Sequence, residues 1–200
     1  FLNFWNIQMD FTAFQLTTLF VVLICYHICE YLLAKHFHPK ETQLSSFLIT
    51  KDYLIAFSIG LIEYFIERYI WPVFKTDSSS FVLWLGVLMI IVGLYIRFAA
   101  IITAGKSFNH VVQVESHGNK LITNGVYKYI RHPGYFGFFV FAVGTQVMLK
   151  NIVSTVGFII VLWNFFNDRI KDEEVFLIRM YGNDYVQYRD RTPTWIPFIK

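Results

Sequence analysis

An all-α, polytopic transmembrane fold is what this sequence predicts, and three observations carry that expectation. The composition is 56% hydrophobic and 20% aromatic against 16% charged, and the mean hydropathy of +0.47 lies outside the range of soluble domains. The apolar residues fall into runs long enough to cross a bilayer. The basic residues fall into three groups that share one side of the membrane if each run crosses it. The 22 Phe and 12 Tyr suit lipid-facing helices and interfacial belts, and the net charge of +3 gives no reason to expect a nucleic-acid partner.

Residues 11–33 are apolar on nearly every face and, at about 1.5 Å per residue, reach across roughly 30 Å of hydrocarbon. A polar turn at 35–41 follows, in which His36 and His38 read as interfacial histidines beside a proline rather than as metal ligands. Residues 53–70 form a second span. Glu63, Glu67 and Arg68 near its far end are expected to be structural, the carboxylates pairing along the helix with Arg68 or snorkelling. Residues 81–103 form a third span, with Gly86, Gly93 and Ala99-Ala100 for close helix contact and Arg97 near its exit.

Two shorter apolar segments, 135–149 and 152–166, read as a hairpin turning at Lys150-Asn151. Each extends past the membrane into a polar cluster or is packed inside other helices. Residues 172–191 read as a separate amphipathic surface helix interrupted at Gly182, its apolar part supplied by Val175, Phe176, Ile178, Met180 and Tyr181. The tail at 192–198 breaks helix twice and is aromatic enough to lie back on a groove. Residues 1–103 are thus expected to be transmembrane helices and 104–200 a catalytic region with a cytosolic loop, the hairpin and a C-terminal amphipathic helix. Cys25 and Cys29, four apart in one span, build neither a disulfide framework nor a thiolate metal site. Lysines and arginines concentrate after the first span, after the third and after the hairpin, against Lys75 and Lys150 on the other side. The rich side is therefore expected to be cytosolic.

Chemistry concentrates in Arg131-His132-Pro133-Gly134-Tyr135-Phe136-Gly137, where a polar loop runs directly into apolar sequence. Proline disfavours helix at the residue before it and suits the first turn of the helix after it. The ring of His132 therefore sits beside a helix start whose free amides favour anionic groups. Tyr135 offers a hydroxyl and Gly137 admits close approach. Upstream, Gln113 and the stretch from Asn119 to Tyr127 combine amide donors, a turn at Asn124-Gly125 and apolar residues able to enclose an adenine ring. Downstream, Arg169 and Glu173 share a helix face and would form a salt bridge if left without ligands. With ligands, the arginine suits a carboxylate and the glutamate an ammonium group.

Taken with Gly144-Thr145-Gln146-Val147, the run from Trp163 to Arg169, Glu173-Glu174 and Pro193-Thr194-Trp195-Ile196-Pro197-Phe198, these motifs resemble the isoprenylcysteine carboxyl methyltransferase family over about the last hundred residues. The first hundred match only in being transmembrane, and because the family usually has more helices before this point, a truncated start is expected. The arginine-histidine-proline element alone also resembles phospholipid methyltransferases and sterol reductases.

The family resemblance implies S-adenosylmethionine as methyl donor and S-adenosylhomocysteine as product. It implies binding of the donor by Gln113, Asn119, Lys120, Leu121, Ile122, Tyr127, His132, Pro133, Gly134, Tyr135 and Glu173, with Arg169 holding the substrate carboxylate, so that Arg169 and Glu173 are the expected catalytic pair. The implied substrate is the C-terminal prenylcysteine of lipidated, small GTPase-like proteins, its prenyl chain entering from membrane lipid. The implied compartment is the endoplasmic reticulum with the site facing the cytosol, and no metal is called for. Gly134 stands where a serine is common and Asn119 where a histidine is frequent; backbone contacts survive both changes, so the implied donor binding at these positions falls to the backbone. A carboxylate is ionised at neutral pH and needs no base. The nearest alternative, a phospholipid N-methyltransferase, needs one and leaves Arg169 without a carboxylate; a non-catalytic membrane scaffold predicts no cofactor binding at all.

Overall fold

The computed structural model describes the backbone of residues 2–77, 80–108 and 120–199 and the side chains of 12–75, 77, 80–108 and 120–199. Among the described residues the secondary structure is entirely helical: α1 (Leu2–Phe37), α2 (Lys51–Ile70), α3 (Pro72–Thr76), α4 (Phe81–Ala104), α5 (Pro133–Met148), α6 (Ile152–Tyr181) and α7 (Asn183–Arg191), with short 3-10 turns at Leu44–Phe47, Gly105–Ser107 and Gly125–Lys128. Three stretches are long and apolar enough to cross a membrane, Thr12–Phe37, Leu44–Ile70 and Phe81–Ser107, matching the three expected spans. By contacts the chain divides into two compact units, one of Phe1–Ile91 with Ala142–Phe158 and one of Val92–Phe141 with Ile159–Lys200.

In the first unit the turn between α5 and α6 is sealed by charges that complement the two helix ends. Carbonyl groups at a helix C-terminus lack partners and carry partial negative charge. Here Gln15 Nε2 donates to Met148 O at 3.1 Å, and the buried Lys75 Nζ donates to Leu149 O and Lys150 O, each at 3.0 Å. The ammonium group of Lys75 also reaches Asn151 Oδ1 at 2.8 Å and pairs with Glu67 at 2.5 Å. At the start of α6 the polarity reverses: the Glu63 carboxylate accepts from Val153 N and Ser154 N, both at 2.6 Å, and from the Ser154 hydroxyl. The two carboxylates are structural, as expected, but their partners come from α3 and α6 rather than from Arg68, which donates to Thr12 Oγ1 at 3.3 Å. Gly86 packs against the Met148 backbone where a Cβ would sit, and a Cβ on Gly144 would lie 2.8 Å from Met89 Cβ.

In the second unit α4 and α5 touch backbone to backbone. A Cβ on Gly93 would collide with Phe141 N and stand 2.7 Å from Gly137 O, and one on Gly137 would stand 2.6 Å from Arg97 N. Phe166 and Ile170 of α6 bury with Ile196 and Ile199 of the tail, and Phe136, Phe138 and Trp163 pack around them. The tail does fold back: Trp163 Nε1 donates to Pro197 O at 2.7 Å. One expectation is corrected. Residues 172–181 do not form a separate surface helix, because nothing between Gly157 and Gly182 breaks helix, and α6 runs unbroken for 30 residues from its apolar half into its polar half. The break comes at Gly182, whose φ of 57° with ψ of −131° is a backbone conformation that glycine adopts without strain and that cannot continue a helix. Phe176, Met180 and Tyr181, expected to form part of the apolar face of that surface helix, instead line a cleft.

The glycine contacts make a direct comparison possible. Gly93→Ala is expected to destabilise the protein by about 1–3 kcal/mol through overpacking. Gly157→Ala, whose Cβ would meet nothing within 4 Å, is expected to be neutral or stabilising by up to about 1 kcal/mol. Melting temperatures in detergent rank the two variants; equal values would show that α4 and α5 have room to part.

Candidate functional site

The site is built where the loop before α5 meets the polar half of α6. Gly125, at φ 55°, makes the turn that the Asn124-Gly125 pair predicts, and Val126 to Lys128 complete a single helical turn. The chain then stays non-helical to His132, and Pro133 occupies the first position of α5, as proline geometry requires. The His132 carbonyl accepts from Tyr135 N at 3.1 Å and Phe136 N at 3.0 Å. Arg97, reaching across from α4, donates from Nη1 to Gly134 O at 3.1 Å, with Phe108 packed under its guanidinium. That packing gives a local reason for glycine at 134, since a Cβ there would stand 3.1 Å from the Phe108 ring.

Arg131 is buried, 5% exposed. Its Nε donates to Glu174 Oε1 at 2.6 Å, and its Nη1 donates to Arg189 O at 3.0 Å, in the last turn of α7, and to Thr192 O at 2.6 Å, just past its end. The backbone N–H of Arg131 adds a bond to Pro193 O at 2.8 Å. The start of α5, the polar half of α6 and the end of α7 are thus tied at one guanidinium. Next to it, His132 lies between two carboxylates, with Nε2 3.1 Å from Glu174 Oε1 and Nδ1 4.0 Å from Glu173 Oε2. Glu173, its side chain 29% exposed, faces the cleft, whereas the Glu174 side chain is 11% exposed.

Tyr135 joins the groups on which the expected chemistry depends. Its hydroxyl donates to Glu173 Oε2 at 2.5 Å and accepts from Arg169 Nε at 3.3 Å. Its ring is stacked between His132 and Phe166, centroids 5.7 and 5.1 Å away. Arg169 and Glu173, one turn apart on α6, are thereby linked through a phenol whose position is fixed by packing.

The cleft beside these groups encloses about 1110 Å³, its open mouth included. Lys120, Leu121, Ile122, Tyr127, the run from His132 to Tyr135 and Glu173 all line it. Arg169 stands outside the lining and reaches it through Tyr135; Gln113 and Asn119 lie outside the described residues. Sequence reasoning missed the far wall, made by Phe108 after α4, by Leu177 and Met180 of α6 and by Tyr185 and Tyr188 of α7. The only signal for α7 was its tyrosines three apart, which a surface helix would carry equally. Burial, with the negative field of Glu173 next, raises the Tyr127 pKa well above the ordinary phenol range, so this phenol stays neutral. The Tyr188 hydroxyl donates to Tyr127 O at 2.7 Å. Among the described residues, the buried Tyr185 hydroxyl and Arg131 Nη2 have no hydrogen-bond partner, and both residues line the cleft.

Burial alone would raise the Glu174 pKa, but the hydrogen bond from His132 and the charge of Arg131 outweigh it and hold the carboxyl below its usual range. A carboxylate depressed in this way stabilises the fold above the ordinary carboxylate range and loses that contribution as pH falls below about 4.3. The melting temperature in detergent should therefore fall as pH is lowered from about 5.5 to about 3.5. Glu174→Gln should start lower at neutral pH and show a flatter acid limb; parallel limbs would remove Glu174 from the acid response.

Over residues 84–179 the chain matches the family described as the isoprenylcysteine carboxyl methyltransferase (ICMT) family. Protein-S-isoprenylcysteine O-methyltransferase A of Arabidopsis thaliana is 45% identical over 200 residues, covering 97% of this chain and 98% of that one. A probable protein-S-isoprenylcysteine O-methyltransferase of Oryza sativa subsp. indica is 44% identical over 180 residues, 89% of this chain and 93% of its own. Among solved structures, a eukaryotic intramembrane Ras methyltransferase, an isoprenylcysteine carboxyl methyltransferase, superposes with a TM-score of 0.83 at 38% identity. That alignment covers 89% of this chain and 64% of the solved one.

Proposed function

The chain belongs to the isoprenylcysteine carboxyl methyltransferase family, and from that membership we propose that it esterifies the α-carboxylate of C-terminal prenylcysteine with the methyl group of S-adenosylmethionine. The observation that most supports the assignment of the donor site is that every described residue expected to bind the donor lines the same cleft. The chemistry of the lining fits such a ligand. Leu121, Ile122 and Phe108 offer an apolar surface to an adenine ring, Glu173 offers a carboxylate to an ammonium group, and the unpartnered Tyr185 hydroxyl remains available to a polar group. Gln113 and Asn119 complete the proposed donor set.

Bound in this cleft, S-adenosylmethionine supplies an electrophilic methyl group, and a carboxylate acceptor already ionised at neutral pH needs no general base. The work of the protein is then to bind, orient and exclude water. Glu173 holds the donor's ammonium end. Arg169, one turn earlier on α6, holds the acceptor carboxylate and orients it through its positive charge. Tyr135 keeps the two side chains in register through one hydroxyl, donating to the glutamate and accepting from the arginine. Phe108, after α4, and Tyr185 and Tyr188 of α7 give the cleft an aromatic wall that would shield a bound ligand from bulk water. The concentration of basic residues after the first span, after the third and after the hairpin supports a cytosolic orientation of the site. The family resemblance points to the endoplasmic reticulum and to small GTPase-like proteins as carriers of the prenylcysteine.

The assay offers labelled S-adenosylmethionine to liposome-embedded protein with N-acetyl-S-farnesylcysteine and phosphatidylethanolamine as parallel acceptors. Base-labile label on the prenylcysteine alone is expected; label confined to the phospholipid would assign the site to an amine acceptor. Arg169→Ala should lower kcat/KM for the prenylcysteine at least about 30-fold, a loss of about 2 kcal/mol or more, with S-adenosylhomocysteine affinity changed less than about threefold. Glu173→Ala should weaken S-adenosylhomocysteine at least about tenfold by titration calorimetry; unchanged affinity would take the ammonium role from Glu173.

A further inference from the structure

Glu174 has no part in the chemistry above, yet it is the more deeply buried of two adjacent glutamates and touches His132, the one imidazole among the described residues that line the cleft. Consecutive helix positions point about 100° apart, so Glu173 faces the cleft while Glu174 faces the start of α5. There Arg131 Nε lies 2.6 Å from its Oε1 and His132 Nε2 lies 3.1 Å from the same oxygen. A carboxylate held ionised by an arginine offers lone pairs only. The hydrogen in the bond to His132 must therefore sit on Nε2, which determines the tautomer of the neutral ring. Nδ1 is then a bare acceptor, and it lies on the Glu173 side, 4.0 Å from Glu173 Oε2. That separation is too long for a hydrogen bond between the two, and it presents two acceptors side by side to one donor.

We propose that Glu174 is a positioning residue that holds His132 with Nδ1 as an acceptor, so that His132 and Glu173 together receive the ammonium group of the methyl donor. The proposal rests on the reading of the cleft as the donor site and adds how its ammonium end is recognised. Arg131 serves it twice, by keeping Glu174 ionised and by anchoring the end of α7, while stacking against Tyr135 at 5.7 Å holds the imidazole plane. Nothing in this arrangement moves a proton; Glu174 acts through the orientation of His132 alone.

The test is titration calorimetry of detergent-solubilised wild type and Glu174→Gln with two ligands, S-adenosylhomocysteine and 5′-methylthioadenosine, which lacks the amino-acid end. A glutamine amide can donate to His132 Nε2, releasing the ring to the other tautomer and setting an N–H where the acceptor stood. The expected result is at least a tenfold loss of S-adenosylhomocysteine affinity with methylthioadenosine changed less than twofold. Equal loss for both ligands would mean that Glu174 only supports the fold, and no loss for either would mean that it does not orient His132; both overturn the proposal. Wild type that binds neither ligand would overturn the donor-site reading, and this proposal with it. Should the variant not fold, ¹⁵N-histidine labelling of the wild-type protein reads the tautomer directly. Nε2 protonated and Nδ1 bare is expected, and the opposite tautomer or a ring protonated at both nitrogens overturns the proposal.

Discussion

The buried ion pair of Arg131 and Glu174 is the interaction on which this site depends. Breaking such a pair by removing one partner leaves an uncompensated charge and commonly costs about 3–5 kcal/mol. Here each partner also has further bonds: the guanidinium serves two carbonyls at the end of α7, and the carboxylate accepts from His132. Because Arg131 and Glu174 stand 43 residues apart in sequence, one contact settles the start of α5, the face that α6 turns to the cleft and the placement of α7. The aromatic wall that α7 contributes, Tyr185 and Tyr188, follows from that placement.

Helix-end electrostatics organise the other unit by the same physics with different residues. Lys75 meets the carbonyl end of α5, and Glu63 meets the amide end of α6. Glu67, also deep in a largely apolar unit, is matched to Lys75. Where water cannot satisfy a helix end, a charged side chain of the complementary sign does so, and the cost of burying it is met by several directed bonds at once. Close backbone contact is the second device, supplied by Gly86 and Gly144 in this unit and by Gly93 and Gly137 in the other.

Much of the architecture was legible in the sequence because it rests on local signals. Three long apolar runs read as spans, Pro133 marked the start of α5 and Gly182 the end of α6. The stretch from Lys120 to Ile122 and that from His132 to Tyr135 carried family motifs and do meet in one cleft. What stayed hidden depends on facing rather than on identity. Glu173 and Glu174 are the same residue side by side, and only the direction of α6 decides which faces the cleft. The continuity of α6 was missed because a change from apolar to polar sequence was read as a boundary, although helix requires only the absence of a breaker. The partners of Glu63 and Glu67 lie on elements that no spacing along α2 points to, and Phe108 and the α7 tyrosines reach the cleft by long-range packing alone.

The central claim is that the cleft between the start of α5 and the polar half of α6 holds the methyl donor. Hydrogen–deuterium exchange of the detergent-solubilised protein, with and without S-adenosylhomocysteine, tests it most directly. Protection concentrated in residues 120–136 and 173–188, with 12–70 unchanged, is the expected result. Protection confined to the first two spans, or a bound ligand that slows exchange nowhere in 120–136, would contradict it.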